Sequence, residues 1–360
     1  MKMVVWDITD KCNLRCKHCY NADMYFNNKV QQLKVNDKIN IVKKLSKLGF
    51  NYLDILGGEP LCCENLDLIL HTAKENNIGV EITTNGTLLN EKMIDILIKN
   101  NVKNVHVSLD GSTRAINDAI RGKGSFDKAT SNLKKLTQII KENNSNMLTS
   151  ISTTLTKFNI NDLKNMPKLA NDLGVNILIY TAFVESGNGD RNSNIFKEDY
   201  NKIQDAIEEI AKEEFKKYPN ITFQLDMKPY LTNYLKRRYN IKNLIFVKSF
   251  TKCNAGEDIW YVTADGYLHP CNILINQNVP QTVKDLIPVQ YVNLLECTDF
   301  DDIESNKYFS SFMNLKNDVL NKQVKKTCAN CELINDCNPC PILYKDKSVI
   351  EECEYRGSAP

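Results

Sequence analysis

The sequence lacks the features that would place it in a membrane or on a nucleic acid. It has no run of about eighteen apolar residues, and polar residues interrupt the opening segment MKMVVWDITDKC, so neither a membrane span nor a signal peptide is expected. Lys and Arg number 46 against 44 Asp and Glu, a net charge of only +2 that offers nucleic acid no basic excess. With 14 Gly and 10 Pro in 360 residues, disorder and collagen-like structure are excluded. We expect a folded, cytoplasmic protein that binds neither nucleic acid nor membrane.

Cysteine is unusually frequent for a protein without an export signal, with 13 copies against 4 His. In a reducing compartment, disulfides explain clustered cysteines poorly, and metal or redox sites explain them better. One cluster is Cys12, Cys16 and Cys19, and a second is Cys328, Cys331, Cys337, Cys340 and Cys353. Cys253, Cys271 and Cys297 lie between them, and Cys62 and Cys63 stand apart as candidates for ordinary buried thiols.

Short apolar runs alternate with amphipathic segments as far as residue 215. The runs predict strands at 4–9, 52–56, 80–84, 104–109, 148–156 and 175–183. The segments between them predict helices at 35–48, 66–74, 91–98, 129–140 and 160–173. Strands and helices that alternate at this spacing form a parallel sheet with right-handed crossovers. The predicted fold class is therefore α/β, as an open or partial (β/α)6 barrel with its active site at the carboxyl ends of the strands.

Three regions are predicted along the chain. Residues 1–215 form the α/β core, and residues 216–250, rich in Lys, Tyr and Asn, read as a bridging helix plus linker. Residues 251–360 are rich in turns and cysteine and read as a second domain held together by metal. Within it, Asp265-Gly266 predicts the tight turn of a hairpin.

The first cysteine cluster has the spacing Cys12-x3-Cys16-x2-Cys19 and follows the first predicted strand directly. Three thiolates on one loop can ligate three irons of a cubane iron-sulfur cluster and leave the fourth iron open for a chelating substrate group. The alternative is a structural zinc site completed by a distant residue.

The motifs that end the next strands extend this pattern. They are Gly57-Gly58-Glu59-Pro60, Thr84-Asn85-Gly86 and Ser108-Leu109-Asp110-Gly111. Together with the cysteine loop they resemble the radical S-adenosylmethionine (SAM) superfamily over residues 1–215. The resemblance implies that Cys12, Cys16 and Cys19 ligate a catalytic 4Fe-4S cluster, whose open iron chelates SAM and yields a 5′-deoxyadenosyl radical. It implies further SAM contacts by these residues: Gly57, Gly58 and Glu59 at the methionyl amino group, Ser108 and Arg121 at the ribose and carboxylate, and His18 or Tyr20 near the adenine. Ser108 and Arg121 also have ordinary explanations, as a strand cap and a surface arginine.

The second cysteine cluster resembles the SPASM extension of radical SAM enzymes over about residues 250–357. The resemblance implies that Cys328, Cys331, Cys337 and Cys353 hold an outer auxiliary cluster and that Cys253, Cys271 and Cys340 hold an inner one. The fourth ligand of the inner cluster is either Cys297, a water or a substrate group, or else it is absent and leaves an open iron. Three 4Fe-4S clusters are implied in all. A zinc ribbon is the alternative, although the gap between Cys331 and Cys337 is short for one.

Members with this extension mostly oxidise peptides, so the leading hypothesis is a maturase that crosslinks, or forms a thioether in, a ribosomally made peptide. The rival is a small-molecule oxidase such as a haem-pathway enzyme. Formylglycine formation is a further alternative, although the sulfatase maturases carry Asp where this chain has Asn272, so that Glu185 or Asp226 would have to serve as base. A plain iron-sulfur electron carrier would have no use for an open iron.

The same resemblance implies partners. A flavodoxin- or ferredoxin-type protein would donate electrons. Because the first strand begins by residue 4, we expect no leader-binding module before it, so a peptide substrate would need a separate recognition protein or would dock directly.

Overall fold

A computed structural model describes residues 1–25, 32–226, 229–246, 253–275, 279, 281–288, 291–321 and 342. The predicted ligands Cys328, Cys331, Cys337, Cys340 and Cys353 lie outside these residues. Among the described residues, no helix has the length and apolar character to span a membrane.

One 11-stranded sheet organises the described part of the chain, in the order β11-β10-β9-β1-β2-β3-β4-β5-β6-β7-β8. Strands β1 to β8 run parallel to their neighbours. The strands are β1 (Met3–Asp7), β2 (Tyr52–Leu56), β3 (Gly79–Thr84), β4 (Asn104–Ser108), β5 (Leu148–Thr154), β6 (Ile177–Thr181), β7 (Thr222–Asp226), β8 (Leu244–Phe246), β9 (Ile259–Val262), β10 (Tyr267–His269) and β11 (Val292–Asn293).

Helices connect the parallel strands from β1 to β8. They are α1 (Ala22–Tyr25), α2 (Val35–Lys47), α3 (Leu66–Glu75), α4 (Glu91–Lys99), α5 (Arg114–Arg121), α6 (Ser125–Glu142), α7 (Met166–Leu173), α8 (Asn188–Arg191), α9 (Ser193–Phe196), α10 (Tyr200–Glu213) and α11 (Pro229–Tyr239). Three further helices follow β10: α12 (Gln281–Lys284), α13 (Asp301–Glu304) and α14 (Lys307–Asn321).

Alternation along the strands gives the sheet two different faces. Val4 and Trp6 on β1 are fully buried, as are Leu53 and Ile55 beside them on β2. They belong to one core cluster with buried residues of α2 such as Leu45. We call this side of the sheet the apolar face, and it holds the helices to the sheet through apolar burial.

The α/β fold class and the parallel sheet are confirmed. All six predicted strands are present, and so are the predicted helices, with the segment 160–173 divided into a 3₁₀ turn at Ile160–Asn165 and helix α7. The hairpin is present as well, with β9 antiparallel to β10 and Gly266 in the left-handed region at a φ of 89°.

The expectation of a bridging helix plus linker at 216–250 needs correction. The helix is α11, but β7 and β8 flank it and extend the parallel sheet beyond six strands. Their sequences, TFQLD and LIF, are short and strand-like, and the polar residues around them hid the repeat.

The predicted boundary near residue 250 does not coincide with an edge of the sheet. Strand β9 pairs in parallel with β1, with Met3 opposite Ile259 and Val5 opposite Tyr261. The hairpin therefore continues the sheet of the core.

Candidate functional site

The cysteine loop follows β1 at the carboxyl ends of the parallel strands. Cys12, Cys16 and Cys19 are free thiols and each is half-buried. The loop is held by its backbone: Lys17 N–H donates to Ile120 O at the end of α5 (3.0 Å), and the Asn188 side chain donates to Cys16 O (3.1 Å). These contacts fix the loop without using the thiols.

Gly187 completes this support from the other side of the loop. Its φ is 56°, and a Cβ there would lie 2.8 Å from Cys19 O and 2.7 Å from Tyr20 O. Only glycine allows the two backbone segments to approach this closely.

The predicted SAM-binding glycines pack against the same loop. A Cβ on Gly57 would lie 2.5 Å from Thr9 O, and a Cβ on Gly58 would lie 2.5 Å from Lys11 O. Gly58 N–H donates to Thr9 O (2.8 Å). The glycine pair therefore brings the turn after β2 into backbone contact with the start of the cysteine loop.

Glu59 is buried, at 1% exposure, and its carboxylate accepts three hydrogen bonds. The donors are the Thr84 hydroxyl (2.5 Å), Asn85 N–H (2.7 Å) and Leu61 N–H (3.2 Å). Burial raises the pKa of Glu59, and these donors oppose that rise. In this structure Glu59 joins the turn after β2 to the turn after β3, which explains why the two motifs occur together.

Arg121 and His18 meet at one buried carboxylate. Arg121 Nε lies 2.6 Å from Asp110 Oδ2, and His18 Nε2 lies 2.7 Å from the same oxygen. Arg121 is 9% exposed, so its explanation as a surface arginine is wrong. Ser108 lies beside them, as the last residue of β4 and opposite Ser152 in the register.

Tyr20 directly follows Cys19 in the cysteine loop. Burial raises its pKa, and the nearby charges of Asp7, Cys19 and Asp54 raise it further. Tyr20 therefore lies between the cysteine loop and the acidic residues of the sheet.

The second face of the sheet is polar. Strand register places Asp54 of β2 directly opposite Glu81 of β3, and Asp7 lies on the same face of β1 by alternation. The Tyr52 hydroxyl donates to Glu81 (3.3 Å), and His106 lies 3.5 Å from it. We call this side the polar face.

Two carboxyl groups of the polar face have unusual surroundings. Asp54 Oδ1 and Asp226 Oδ1 are buried and have no hydrogen-bond partner among the described residues. Burial raises the pKa of Asp226 to about 7, and burial together with Glu81 and Asp7 raises that of Asp54. Asp226 ends β7 opposite Thr181, so it lies at the same end of the sheet as the cysteine loop.

The inner auxiliary ligands are described only in part. Cys253 and Cys271 form no disulfide and are half-buried, and Cys271 lies two residues after the hairpin. Cys297 is 5% exposed, belongs to the apolar core and donates to Asp299 O (3.2 Å). This environment suits a structural thiol, as it does for Cys63, which is buried and accepts a hydrogen bond from Lys38 Nζ (3.3 Å).

A match between the sequence and a protein-family model agrees with this geometry. Residues 6–170 match the Radical SAM superfamily. The chain carries a radical SAM domain.

The relatives of this radical SAM chain differ in what their names describe. An AdoMet-dependent heme synthase of Methanosarcina barkeri is 24% identical over 347 residues, which span 94% of this chain and 90% of the relative. Mycofactocin maturase MftC of Mycolicibacterium smegmatis is 30% identical over 186 residues, or 52% of this chain and 45% of the relative. The chain thus spans less than half of MftC.

Solved structures share the fold. SuiB of Streptococcus suis, bound to S-adenosylmethionine, superposes with a TM-score of 0.72 at 19% identity, over 96% of this chain and 74% of SuiB. The protein anSMEcpe, with bound AdoMet and the peptide Cp18Cys, gives a TM-score of 0.66 at 17% identity over 93% of this chain and 87% of that protein.

A radical SAM domain implies a 4Fe-4S cluster and SAM, and the residues fit both. Burial raises the pKa of Cys16 to about 11 and that of Cys19 to about 12, so the thiols stay protonated until a metal replaces the proton. No three His, Cys, Asp or Glu side chains in the described part converge on a single metal ion. A cubane does not require that, because each thiolate binds its own iron.

The sequence reasoning missed Asp110 and the acidic residues of the polar face. Asp110 belongs to the Ser108–Gly111 motif, and a carboxylate just after a parallel strand is itself a signal of a functional site. Asp54 and Glu81 each interrupt an apolar run, but their meeting depends on strand register.

Proposed function

We propose that this radical SAM enzyme oxidatively modifies a ribosomally made peptide, by a crosslink or a thioether. The observation that supports a peptide best is the polar face, where Asp7 and Asp226 end β1 and β7 at the edge of the sheet from which the cysteine loop leaves. A cationic side chain of a peptide would be attracted to the Glu81 carboxylate.

The proposed roles follow the position of each residue. Cys12, Cys16 and Cys19 would hold the cluster at the end of β1, and Gly57, Gly58, Glu59, Ser108, Arg121 and either His18 or Tyr20 would bind SAM. When bound, SAM on its reduced cluster supplies a 5′-deoxyadenosyl radical that abstracts hydrogen from the substrate. The protein's own contribution is to hold the loop rigidly and to present the polar face beside it.

The C-terminal region is proposed to be a SPASM domain. Cys328, Cys331, Cys337 and Cys353 would hold an outer cluster, and Cys253, Cys271 and Cys340 an inner one, so that three clusters are present. Such clusters can accept the electron released when a substrate radical is oxidised. The domain division 1–215, 216–250 and 251–360 is kept for the radical SAM core, the bridge and the SPASM domain, with β7 to β10 joining them in one sheet.

Peptide relatives support the choice. MftC is named a maturase, and SuiB has been solved with its precursor peptide SuiA at a TM-score of 0.70 to this chain. This likeness supports a peptide substrate for the present chain. Two partners are proposed together with the peptide substrate. They are a flavodoxin- or ferredoxin-type electron donor and a separate leader-recognition protein.

A haem-pathway oxidase is the second candidate, because the heme synthase match spans nearly the whole of both chains. The polar face argues against it. Porphyrins of that pathway carry several carboxylates, and carboxylates placed against Asp7 and Glu81 would be repelled.

One experiment separates the two candidates. The full chain is reconstituted anaerobically, reduced, and given either the peptide encoded by the nearest small open reading frame or an iron porphyrin, and 5′-deoxyadenosine is measured. We expect the peptide alone to stimulate deoxyadenosine formation and to lose two hydrogens by mass spectrometry. Stimulation by the porphyrin and not by the peptide would reverse the choice.

The third arm of this experiment supplies the enzyme with a sulfatase peptide that contains a target Cys. Asn272 begins a 3₁₀ turn at Asn272–Ile275 and, as a neutral amide, cannot accept the proton that formylglycine formation releases. We expect no formylglycine, and its appearance would show that another base serves.

A further inference from the structure

Asp110 is a buried carboxylate near the cysteine loop, and it has no assigned role. It is completely buried. Its Oδ2 atom contacts His18 (2.7 Å) and Arg121 (2.6 Å), and its Oδ1 atom accepts a hydrogen bond from Thr154 N–H at the end of β5 (2.9 Å). Its backbone N–H donates to Asn117 Oδ1 (2.9 Å).

These contacts leave Asp110 little freedom. Burial works to raise the pKa of Asp110, but the charges of Arg121 and His18 outweigh burial and hold the pKa below its usual range. The group is therefore a fixed carboxylate at neutral pH. It joins four parts of the chain: the cysteine loop through His18, helix α5 through Arg121 and Asn117, β4 through its own backbone, and β5 through Thr154.

A second observation points from this network toward a ligand. The His18 side chain is 7% exposed, and its Nδ1 atom is buried with no hydrogen-bond partner among the described residues. A buried ring nitrogen without a partner costs free energy, so a bound group that contacts it would recover that cost. Asp110 holds the opposite nitrogen, Nε2, and thereby sets the direction in which Nδ1 points.

The same argument applies to Arg121. A guanidinium is planar and rigid, so an ion pair at Nε sets the orientation of the whole group. Arg121 is buried beside the cysteine loop, and its carbonyl oxygen lies 3.9 Å from the Cys16 sulfur. Its charge is therefore held within the immediate surroundings of the proposed cluster.

We propose that Asp110 is a positioning residue, which holds His18 and Arg121 in the orientation in which both contact S-adenosylmethionine. The inference rests on the proposed SAM-binding roles of His18 and Arg121. Asp110 itself does not touch the cofactor.

A purely structural role is the competing explanation, and Asp162 provides the matched control. Asp162 is also buried, at 6% exposure, and its carboxylate accepts hydrogen bonds from Ser112 N–H and from the Ser112 hydroxyl (both 2.6 Å). Asp162 therefore holds the turn after β4 at Ser112, which lies two residues beyond Asp110. No described contact links Asp162 to His18 or Arg121.

The test compares Asp110→Asn with Asp162→Asn in the full chain, reconstituted anaerobically with iron and sulfide. Iron content and thermal midpoint report on folding. Equilibrium dialysis with SAM gives the dissociation constant, and the change in the electron paramagnetic resonance spectrum of the reduced cluster on SAM addition reports the contact at the iron. We expect Asp110→Asn to keep its iron, to bind SAM about 10- to 100-fold more weakly and to show a diminished spectral change. Asp162→Asn should bind SAM like the wild type.

Two results would overturn the proposal. One is an unchanged dissociation constant and spectral change in Asp110→Asn. The other is equal weakening in both variants with an equal drop in thermal midpoint, which would mean that Asp110 only stabilises the turn. A wild type that holds its cluster but does not bind SAM would contradict the proposed function itself.

A second variant covers the case in which Asp110→Asn does not fold. Arg121→Lys keeps a cation beside Asp110 but loses the planar fork that the carboxylate orients. We expect it to keep its fold and iron and to bind SAM at least tenfold more weakly, by the same reasoning about supporting groups. An unchanged dissociation constant in this variant would equally overturn the proposal.

Discussion

The two faces of the same sheet differ in almost every physical respect. On the apolar face, Val4 and Trp6 pack with Leu53 and Ile55, each fully buried. On the polar face, one position along each strand, Asp54 lies opposite Glu81. A shift of one residue in either strand would exchange the faces, so the register is strongly specified.

The comparison shows where the molecule gives up stability. Burial of the Asp54 carboxyl group is destabilising, because its Oδ1 atom has no hydrogen-bond partner among the described residues, and the neighbouring Glu81 raises its pKa further. The apolar face supplies the folding energy that tolerates this arrangement. Substitutions on the apolar face should therefore lower stability, whereas substitutions at the cysteine loop beside the polar face should lower activity.

The largest effect is expected from replacing Cys12, Cys16 and Cys19 together by Ala. The reconstituted wild type should hold about 12 iron atoms per chain, as three 4Fe-4S clusters require. The variant should keep about two thirds of the iron, because the proposed auxiliary sites are separate, and should lose all reductive cleavage of SAM. Iron analysis and deoxyadenosine assays measure both, and zinc in place of the remaining iron would contradict the auxiliary clusters.

The next effect separates the two faces directly. Ile55→Ala removes a fully buried side chain from the apolar face and should lower the free energy of unfolding by about 2–5 kcal/mol. Its neighbour on the polar face is the matched control, since Asp54→Asn replaces a buried carboxyl group by a neutral amide of similar size and should leave stability unchanged or higher. Urea denaturation followed by circular dichroism compares them. Equal destabilisation by both variants would remove the distinction between the faces.

The smallest effect is a pH dependence from Asp226. Its pKa is about 7 in the folded chain against an ordinary value of 3.8, so between these values the folded state binds the proton that the unfolded state has released. Stability therefore falls as pH rises from about 4 to 7. In Asp226→Asn, the loss between pH 5 and pH 7 should be smaller by about 1–2 kcal/mol.

The control for that prediction is Asp172→Asn. Its exposed carboxylate pairs with Lys168, which lowers its pKa, so its removal should not flatten the loss of stability between pH 5 and pH 7. The same slope in the wild type and in Asp226→Asn would show that Asp226 titrates normally.

The sequence predicted the fold wherever local pattern decides structure. Strands β1 to β6 are apolar runs bounded by polar turns, and the Asp265-Gly266 turn needs a glycine at positive φ. The glycine and cysteine motifs were found because they are contiguous. Strand β7 was missed because polar residues interrupt its apolar pattern, and β8 because it has only three residues; a Lys- and Arg-rich helix lies between them.

The remaining features depend on contacts between distant residues. Opposition of Asp54 and Glu81 depends on register, and the meeting of His18, Asp110 and Arg121 depends on the packing of α5 against the cysteine loop. Neither spacing nor propensity contains that information. The pairing of β9 with β1 is the most distant of all, because it joins residues 3–6 to residues 259–262.

That last pairing has a consequence for the order of folding. Strand β1 lies between β2 and β9, so during synthesis one of its edges stays open until the ribosome has released residues 259–262. Contacts of such long sequence separation form slowly, because a long loop must close first. The cysteine loop leaves the end of β1 and therefore reaches its final surroundings only after most of the chain has been made. Insertion of iron into the proposed cluster site would accordingly be a late event, and a ribosome stalled before β9 would present an unpaired strand edge that can join another chain.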